Sequence, residues 1–335
     1  MNAFSALVEG VRRVNRTPAI VAGVWLLTIL VSLPLALGLR GMLEQHLGSS
    51  MVADSAASGV NYDWMQEFGD QATGLGVTFT PTIIGFAAVL DNLSGFLDNV
   101  SRPITIVGAA AAYMILWIFV AGGIIDRYAR ERPTHTHGFF AAAGVFFFRF
   151  LRLAVVMGIV YGVLFRYVHP WLFDRLYPRL VYDLTVERTA FLIRVGLYAL
   201  FGLLLGGFNL IFDYAKIRAV VEDRRSMLGA IAAAARFIQR NAGASVTLYL
   251  ADFLLFLLAV WIYAVIAPGA GPGGWSVWIA LAIGQFYVVL RLWVKLVFWA
   301  SETALFQGRL AHAQYVTAPA PEWPDSPAAE AILRN

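Results

Sequence analysis

The chain has 335 residues, of which 59% are apolar and 14% are charged, with a formal net charge of +4 and no cysteine. A soluble domain carries roughly 25% charged residues, so this composition is typical of a protein surrounded by lipid. The lack of cysteine excludes disulfides, thiolate catalysis and cysteine-ligated metal sites. Most of the basic residues are arginines that flank apolar runs, so we expect no nucleic-acid partner.

Two apolar runs in the first third of the chain are long enough to cross a membrane. No charged residue lies between Arg16 and Arg40, or between Arg102 and Asp126. A hydrocarbon core about 30 Å thick needs about 20 helical residues at about 1.5 Å each. These runs predict spans near 18–39 and 104–125.

The third apolar run is interrupted by Arg149 and Arg152. Long arginine side chains can extend to the head groups from inside a span. We therefore place the third span near 149–170 and expect residues 138–148 to lie at the cytoplasmic interface.

The last part of the chain contains three more apolar runs. The fourth is uncharged between Arg194 and Asp213, and a longer run is uncharged between Asp252 and Arg291. The longer run contains a Pro- and Gly-rich turn at 268–274, which predicts a helical hairpin. The predicted spans are near 189–211, 245–267 and 276–300.

The distribution of arginine predicts the orientation of these six spans. Basic residues concentrate before the first span, after the second and after the fourth, which places all three segments in the cytoplasm. The loop 40–102 carries seven acidic residues and is predicted to be exterior, whereas 171–188 has mixed charge. We expect one all-α transmembrane bundle over 1–315 with a cytoplasmic loop at 212–243, both termini inside, and a disordered cytoplasmic tail at 316–335.

Two segments outside the spans have amphipathic helical patterns. An apolar stripe over residues 83–100 predicts a helix on the outer membrane surface. Ser226 is a plausible N-cap for a helix over 226–240, with Met227, Leu228, Ile231, Ala235 and Ile238 as its apolar face. We expect that helix to lie flat on the inner leaflet, with Arg236 and Arg240 facing anionic head groups.

Three short stretches resemble an uncharacterised bacterial family of six-helix inner-membrane proteins. They are Leu33-Pro34-Leu35, the segment from Asn61 to Phe68, and the segment from Phe212 to Arg218 with the following Glu222-Asp223-Arg224-Arg225. The layout is also similar to membrane domains attached to some bacterial phosphodiesterases, although this chain has no such catalytic domain. The resemblance implies a bacterial inner-membrane location and no established activity.

Other patterns suggest little chemistry. His135 and His137 have no third ligand nearby, so we interpret them as part of a solvated loop and expect no metal or other cofactor. Three pairs of small residues four apart predict close helix packing inside the bundle, with dimerisation as the alternative. The pairs are Gly108 with Ala112, Gly158 with Gly162, and Gly202 with Gly206.

Ionisable groups within spans are costly and therefore define the candidate site. Asn209 and Asp213 lie four apart, and Asp213 can pair with Lys216 at helical spacing. If the last hairpin turns at Gly271, Asp252 and Arg291 lie at nearly equal depth.

A pair between Asp252 and Arg291 is therefore predicted. Lys295, one turn beyond Arg291, is the alternative partner for Asp252. A structural ion pair is the favoured interpretation of these groups, with a transport site as the alternative.

Two functions agree with these patterns. The first is a non-catalytic membrane protein that interacts with lipids or protein partners, and the second is a permease for a small solute or ion that uses Asp252, Arg291 and Asn209. No Walker loop, nucleophile elbow, dinucleotide fingerprint or zinc-protease motif is present, so we do not expect an enzyme. A bundle sealed around Asp252 would count against transport.

Overall fold

The structure is a computed structural model that describes residues 1–48, 50–58, 61–131, 135–269 and 274–312. All regular elements within these ranges are helical, which confirms the all-α prediction. The α-helices are α1 (Ala3–Asn15), α2 (Pro18–Leu47), α3 (Ala53–Ser58), α4 (Tyr62–Gln71), α5 (Gly85–Leu97), α6 (Ile104–Arg130), α7 (Thr136–Val163), α8 (Tyr177–Val181), α9 (Glu187–Val221), α10 (Met227–Arg240), α11 (Ala242–Ile266) and α12 (Trp275–His312). The predicted tail, 316–335, lies outside the described residues.

Within the described ranges, six helical stretches are long and apolar enough to cross a membrane, as the apolar runs predict. They are Pro18–Leu47, Ile104–Arg130, Thr136–Val181, Glu187–Val221, Ala242–Ile266 and Trp275–Leu310. The chain is a multi-pass helical membrane protein.

The third crossing differs from the prediction because one continuous helical stretch includes both predicted segments. It extends from Thr136 through α7 and two π-helical stretches to the end of α8. Residues 138–148 therefore belong to the same helix as the predicted span, and their place at the cytoplasmic interface stays a prediction. Phe139 and Phe146 pack against α6, where a Cβ added to Gly123 or Gly122 would collide with them. Only glycine allows these two helices to approach so closely.

The predicted exposure of Arg149 at the head groups is also wrong. Its guanidinium donates to the Asp223 carboxylate at 2.5 Å and lies 5.2 Å from the Phe146 ring centre. Arg152 is exposed and donates to the carbonyl of Phe148. Arg149 therefore ties α7 to the end of α9.

Helix α12 lies at the centre of the bundle and contacts α1, α2, α6, α9 and α11. Helices α6 and α7 form one antiparallel hairpin, and α11 and α12 form a second. Short connections favour this arrangement of neighbouring helices.

Buried residues are concentrated at one end of the bundle, which we call the packed end. It comprises α1, α10, the C-terminal parts of α6, α9 and α12, and the N-terminal parts of α7 and α11. Its buried core includes Ile124, Phe146, Ile217, Phe237, Leu296 and Phe306. Helix α9 has 35 residues, or about 52 Å at about 1.5 Å each, so it exceeds a 30 Å hydrocarbon core by about 20 Å.

Helix α10 has the predicted bounds, and Ser226 accepts from the amide of Gly229 as its N-cap. Its placement corrects the prediction that it lies flat on lipid. The buried face consists of Met227, Ala230, Ala233, Ala234 and Phe237, which pack into the bundle, mainly against α9. Small alanine side chains let α10 approach α9 closely, so the side of the helix that packs on protein is rich in alanine and shares only Met227 with the predicted apolar face.

The opposite end, called the outer end, carries the segment between α2 and α6. Trp64, Met65 and Phe68 of α4 form a small core against the end of α2, and the Trp64 indole donates to His46 at 3.0 Å. Helix α5 is present as predicted, and Leu90 and Leu93 on it are exposed.

Helix α5 crosses the outer end between two groups of spans. Near its start, Phe86 contacts Tyr263 of α11. After its end, Asp98 accepts from Arg194 and Tyr198 of α9, and the carbonyl of Leu97 lies 2.7 Å from the His169 ring nitrogen Nε2. Helix α5 therefore joins the α11 side of the bundle to the α7 and α9 side.

The predicted internal packing is absent at four of the five glycines in these pairs, and Gly206 alone among them contacts a neighbouring helix. A Cβ added to Gly108, Gly158, Gly162 or Gly202 would meet no atom within 4 Å, and the nearest atom to one on Gly206 would be in Tyr249 at 3.7 Å. Most of these residues face outward from the chain.

Candidate functional site

Asp213 is the centre of a hydrogen-bond network at the packed end. Its carboxylate accepts from Asn209 at 2.8 Å, from Lys216 at 2.5 Å and from the indole of Trp299 at 3.2 Å. The predicted contact with Lys216 is present, and Asn209 also donates to Tyr249 on α11 at 3.1 Å. Three donors compensate the burial of Asp213, so this network links α9, α11 and α12.

The predicted pair between Asp252 and Arg291 is absent. Asp252 is fully buried, and one of its carboxylate oxygens accepts from the Ser301 hydroxyl at 2.8 Å. Arg291 is exposed on α12 and makes no contact with Asp252.

The register of the α11–α12 hairpin explains why Asp252 and Arg291 do not pair. Ser301 lies ten residues beyond Arg291, so α12 is displaced by about 15 Å relative to a symmetric hairpin turning at Gly271. The stacked rings of Tyr263 and Tyr287, 4.1 Å apart, lie in a similarly displaced register. The N-terminal turns of α12 consequently extend past the end of α11, where Trp275 and Trp278 are exposed.

Lys295 also has a different environment from the one predicted. Its ammonium lies 4.1 Å from the Trp117 ring centre and 5.7 Å from that of Trp299. The Lys216 ammonium lies 5.2 Å from Trp299. Two lysines therefore meet two aromatic faces, and cation–π attraction stabilises Lys295 in place of a carboxylate partner.

Sequence reasoning missed a group of sealed polar side chains beside Asp252. Glu302 and Ser301 are fully buried, and neither carboxylate oxygen of Glu302 has a hydrogen-bond partner among the described residues. The second oxygen of Asp252 is also buried without a partner there, and the buried hydroxyls of Tyr214 and Ser245 interact only with each other among the described residues. We call Asp252, Ser301, Glu302, Tyr214 and Ser245 the sealed cluster.

The predicted end of the sixth span at residue 300 hid this cluster, because Glu302 then appeared to lie in the cytoplasm. One feature of the sequence could have revealed the cluster. The apolar run of the sixth span is interrupted by the polar residues 301–303 and continues with the apolar residues 304–306. A polar triplet between apolar segments of one helix indicates a buried polar site.

The chemistry of the sealed cluster is limited by its burial. A carboxyl group without a donor costs several kcal/mol in a dry interior, so the burial of these side chains lowers the stability of the bundle. Among the described residues, no three His, Asp or Glu side chains are placed to hold a metal ion.

Helix α1 covers the sealed cluster. A Cβ added to Gly10 would lie 2.7 Å from the Cβ of Ser301, so only glycine allows α1 to cross α12 at this point. Ala6, one turn earlier, packs with Leu248 and Leu305. The spacing of Ala6, Gly10 and Val14 places all three buried residues on one helical face.

A second candidate site lies where α1 meets α2, beside α12. An apolar groove of about 470 Å³ opens there between the helices. The Trp293 indole donates to Asn15 and the Trp25 indole donates to Gln285, each at 2.9 Å, so both polar N–H groups are satisfied. The lining residues are Val14, Asn15, Pro18, Val21, Ala22, Trp25, Val289 and Trp293.

A small cavity of about 30 Å³ lies at the same α1–α2 junction, beside α6. Its lining residues are Arg13, Arg16, Thr17, Arg127, Tyr128 and Glu131. The apolar groove and this arginine-lined cavity therefore share one helix junction, which the sequence places immediately before the first apolar run.

Comparisons with protein-family models, curated proteins and solved structures found no match for this chain. The resemblance to a six-helix bacterial family stays a prediction.

Proposed function

We propose that this protein is a non-catalytic component of the bacterial inner membrane that binds a membrane phospholipid in the groove between the α1–α2 junction and α12. The groove itself is the observation that supports this function. Its volume of about 470 Å³ falls within the 300–1,000 Å³ of common ligand sites.

The groove has the chemistry of an acyl-chain site. Pro18, Val21 and Ala22 line one side, on the first two turns of the first span. Val289 and Trp293 of α12 face them. Because the indole N–H groups at Trp25 and Trp293 are already bonded within the protein, the ring faces offer an apolar surface to a hydrocarbon chain.

The position of the groove supports a lipid as its occupant. Arg16 lies two residues before the first span and is exposed, so it lies at the depth expected for head groups. A groove that begins at this level and is lined by span residues can receive the chain of a lipid from the surrounding leaflet. Charge complementarity with Arg16 would favour an anionic head group.

The state of the sealed cluster favours lipid binding over the permease alternative. Unpartnered carboxylate oxygens at Asp252 and Glu302 are the feature in favour of ion transport. Both residues are fully buried, however, and α1 closes over them at Gly10. A permease or an enzyme needs its polar groups to meet a substrate, and these groups have no access to one in this conformation.

The proposed orientation places the packed end in the cytoplasm. It contains α1, the end of α6 and the α9–α10 connection, which carry the arginine-rich segments. The outer end then faces away from the cytoplasm with the acidic segment between α2 and α6.

Filling the groove tests the proposed function. Ala22→Phe places a bulky ring among the groove residues, whereas Ala19→Phe makes the same change at an exposed position one turn away that does not line the groove. We expect the wild type and Ala19→Phe to retain phospholipid through purification. Ala22→Phe should retain about tenfold less, as expected when a bound chain loses its pocket.

Native mass spectrometry of the protein released from detergent measures the number of retained lipids directly. Equal retention by all three proteins would contradict lipid binding in the groove. Thermal unfolding of each variant shows whether a loss of lipid reflects unfolding.

A further inference from the structure

We propose that the arginine-lined cavity at the α1–α2 junction binds the phosphate of an anionic phospholipid head group. This inference rests on the proposed lipid binding but concerns a different site from the apolar groove. Arg13, Arg16 and Arg127 converge on a cavity of about 30 Å³. That volume holds about two water-sized groups, which suits phosphate oxygens entering from an open mouth.

Arg13 organises the cavity rather than binding the ligand. It bonds to Glu9 and Glu131, and it donates to the Tyr128 carbonyl and to Gln307, each at 2.9 Å. These contacts use its donors and hold α1 against α6 and α12. Glu131 is therefore neutralised within the cavity, so its carboxylate does not repel an incoming anion as an isolated charge would.

Two positive charges at the cavity have no such partner. The guanidinium groups of Arg16 and Arg127 make no hydrogen bond or ion pair with any described residue. Paired arginines match the geometry and charge of a phosphate. The uncompensated charge of these two side chains is what an anion would neutralise.

The start of α2 adds to this positive potential. Thr17 occupies the N-cap position, but its hydroxyl donates back to the carbonyls of Arg13 and Val14 and caps no amide of α2. The first residue of the helix is Pro18, which has no N–H. The positive end of a 30-residue helix therefore lies next to the cavity, which Thr17 lines, without an acceptor side chain as its cap, an arrangement that favours bound anions.

A buried hydroxyl provides an independent indication of a missing ligand. Tyr128 is 1% exposed and lines the cavity; its hydroxyl interacts with that of Thr17, but the two make no close hydrogen bond, and no other described residue offers it one. A buried hydroxyl without a partner is uncommon because its desolvation is not compensated. A phosphate oxygen in the cavity would accept from it.

The position of the cavity at the edge of the spans favours a membrane lipid as the source of the phosphate. The cavity lies where α1 ends and the first span begins, and Arg127 lies near the end of the second crossing. Both arginines are thus at the same boundary of the apolar region. Basic pockets between spans on the cytoplasmic side are suited to anionic head groups.

The test compares head-group preference in nanodiscs made from equal parts of phosphatidylglycerol and phosphatidylcholine. Wild type should retain phosphatidylglycerol in preference to phosphatidylcholine. Arg16→Gln with Arg127→Gln should lower that preference by about tenfold, since each basic residue near the surface is worth a few-fold in affinity. Arg16→Lys with Arg127→Lys keeps the charge and should keep most of the preference.

The matched control is Arg236→Gln with Arg240→Gln, which removes the same charge from exposed positions on α10. It should behave like the wild type. If the Arg16 and Arg127 glutamine variant keeps the wild-type preference, or if the control loses it equally, the site is refuted. Wild type that retains lipid without preference refutes this site alone, whereas wild type that retains no lipid refutes the proposed function as well.

A second measurement distinguishes the source of the phosphate. The thermal midpoint of the purified protein is measured in inorganic phosphate and in chloride at the same ionic strength. We expect no difference between the two salts. The lipid assignment would be overturned by two results together: phosphate raises the thermal midpoint of the wild type but not that of the Arg16 and Arg127 glutamine variant, and the wild type shows no lipid preference. The cavity would then be a site for soluble phosphate.

Discussion

At the scale of single residues, two buried carboxylates of the packed end have opposite environments. Asp213 accepts three hydrogen bonds from Asn209, Lys216 and Trp299. Glu302 is fully buried and has no partner among the described residues. Burial of a polar group costs little when donors replace water and several kcal/mol when they do not. Asp213 therefore stabilises the bundle, whereas Glu302 costs stability.

This difference predicts opposite effects of isosteric amide substitutions. Asp213→Asn turns one acceptor into a donor that faces Asn209 or Lys216, and should lower stability by about 1–3 kcal/mol. Glu302→Gln removes a group that cannot ionise without cost and should leave the thermal midpoint unchanged or raised. Thermal unfolding in detergent compares the two variants, each serving as the control for the other. If Glu302→Gln lowers the thermal midpoint more than Asp213→Asn does, the Glu302 carboxylate must make a stabilising contact, which would contradict this account.

The residues that sequence reasoning placed correctly depend on local geometry. Asp213 and Lys216 are three apart on one helix, so their contact follows from the helical repeat alone. The pairing of Asp252 depends instead on the register between two helices. That register is set by the extension of α12 beyond α11, which no local pattern encodes. Glu302 was missed for a related reason, since hydropathy locates the apolar run but not the burial of the helix beyond it.

At the scale of elements, α10 shows why an amphipathic pattern does not identify the surface that it meets. The predicted stripe contained Leu228, which is 69% exposed. The buried stripe is one position away and rich in alanine. Large apolar residues suggested a lipid-facing helix, but small residues determine which side approaches α9. Helix bounds were predictable because Ser226 is an N-cap, whereas the packing partner was not.

Helix α5 is held to α9 by Asp98, which makes this connection sensitive to acid. The hydrogen bond from Tyr198 lowers the pKa of the Asp98 carboxyl, with Ser94 and Arg194 adding to the effect against the opposing influence of burial. A lowered pKa means that the ionised carboxylate is favoured when α5 is docked. The stabilisation is therefore present above the ordinary carboxyl pKa of about 3.9 and is lost as the pH falls through the lowered value.

Asp98→Asn should loosen α5 at neutral pH. Hydrogen exchange of the α5 amides measures this, and we expect faster exchange in the variant than in the wild type at pH 7. The wild type should approach the variant only below about pH 4, after correction for intrinsic exchange rates. Asp91→Asn is the matched control, because Asp91 lies on α5 itself and its one ion pair among the described residues is with Arg102, at 3.8 Å. Equal exchange in all three proteins would show that Asp98 does not hold α5 in place.

At the scale of the whole molecule, the bundle has two parts with different packing. The spans expose most of their apolar surface, as expected for helices in lipid. The packed end buries a core of the kind found in soluble domains, formed by helices that continue past the length of a membrane crossing. Six crossings were predictable because charge-free runs are set by membrane thickness. The packed end was not, because it depends on contacts between helices far apart in sequence.

In the proposed arrangement, six helices cross the membrane and the packed end lies in the cytoplasm. Asp54 and Arg225 are exposed and lie on opposite sides of three crossings, α6, the α7–α8 stretch and α9. An odd number of crossings places them on opposite faces. Because the chain has no cysteine, single cysteines at these positions and at Ser326 in the tail are the only thiols in each variant.

Labelling with a membrane-impermeant thiol reagent in intact cells, and again after permeabilisation, is the most direct test of this claim. We predict that Asp54→Cys reacts in intact cells, whereas Arg225→Cys and Ser326→Cys react only after permeabilisation. Reaction of Arg225→Cys without that of Asp54→Cys would invert the orientation. Reaction of both in intact cells would contradict the three crossings between them, and with them the six-span arrangement.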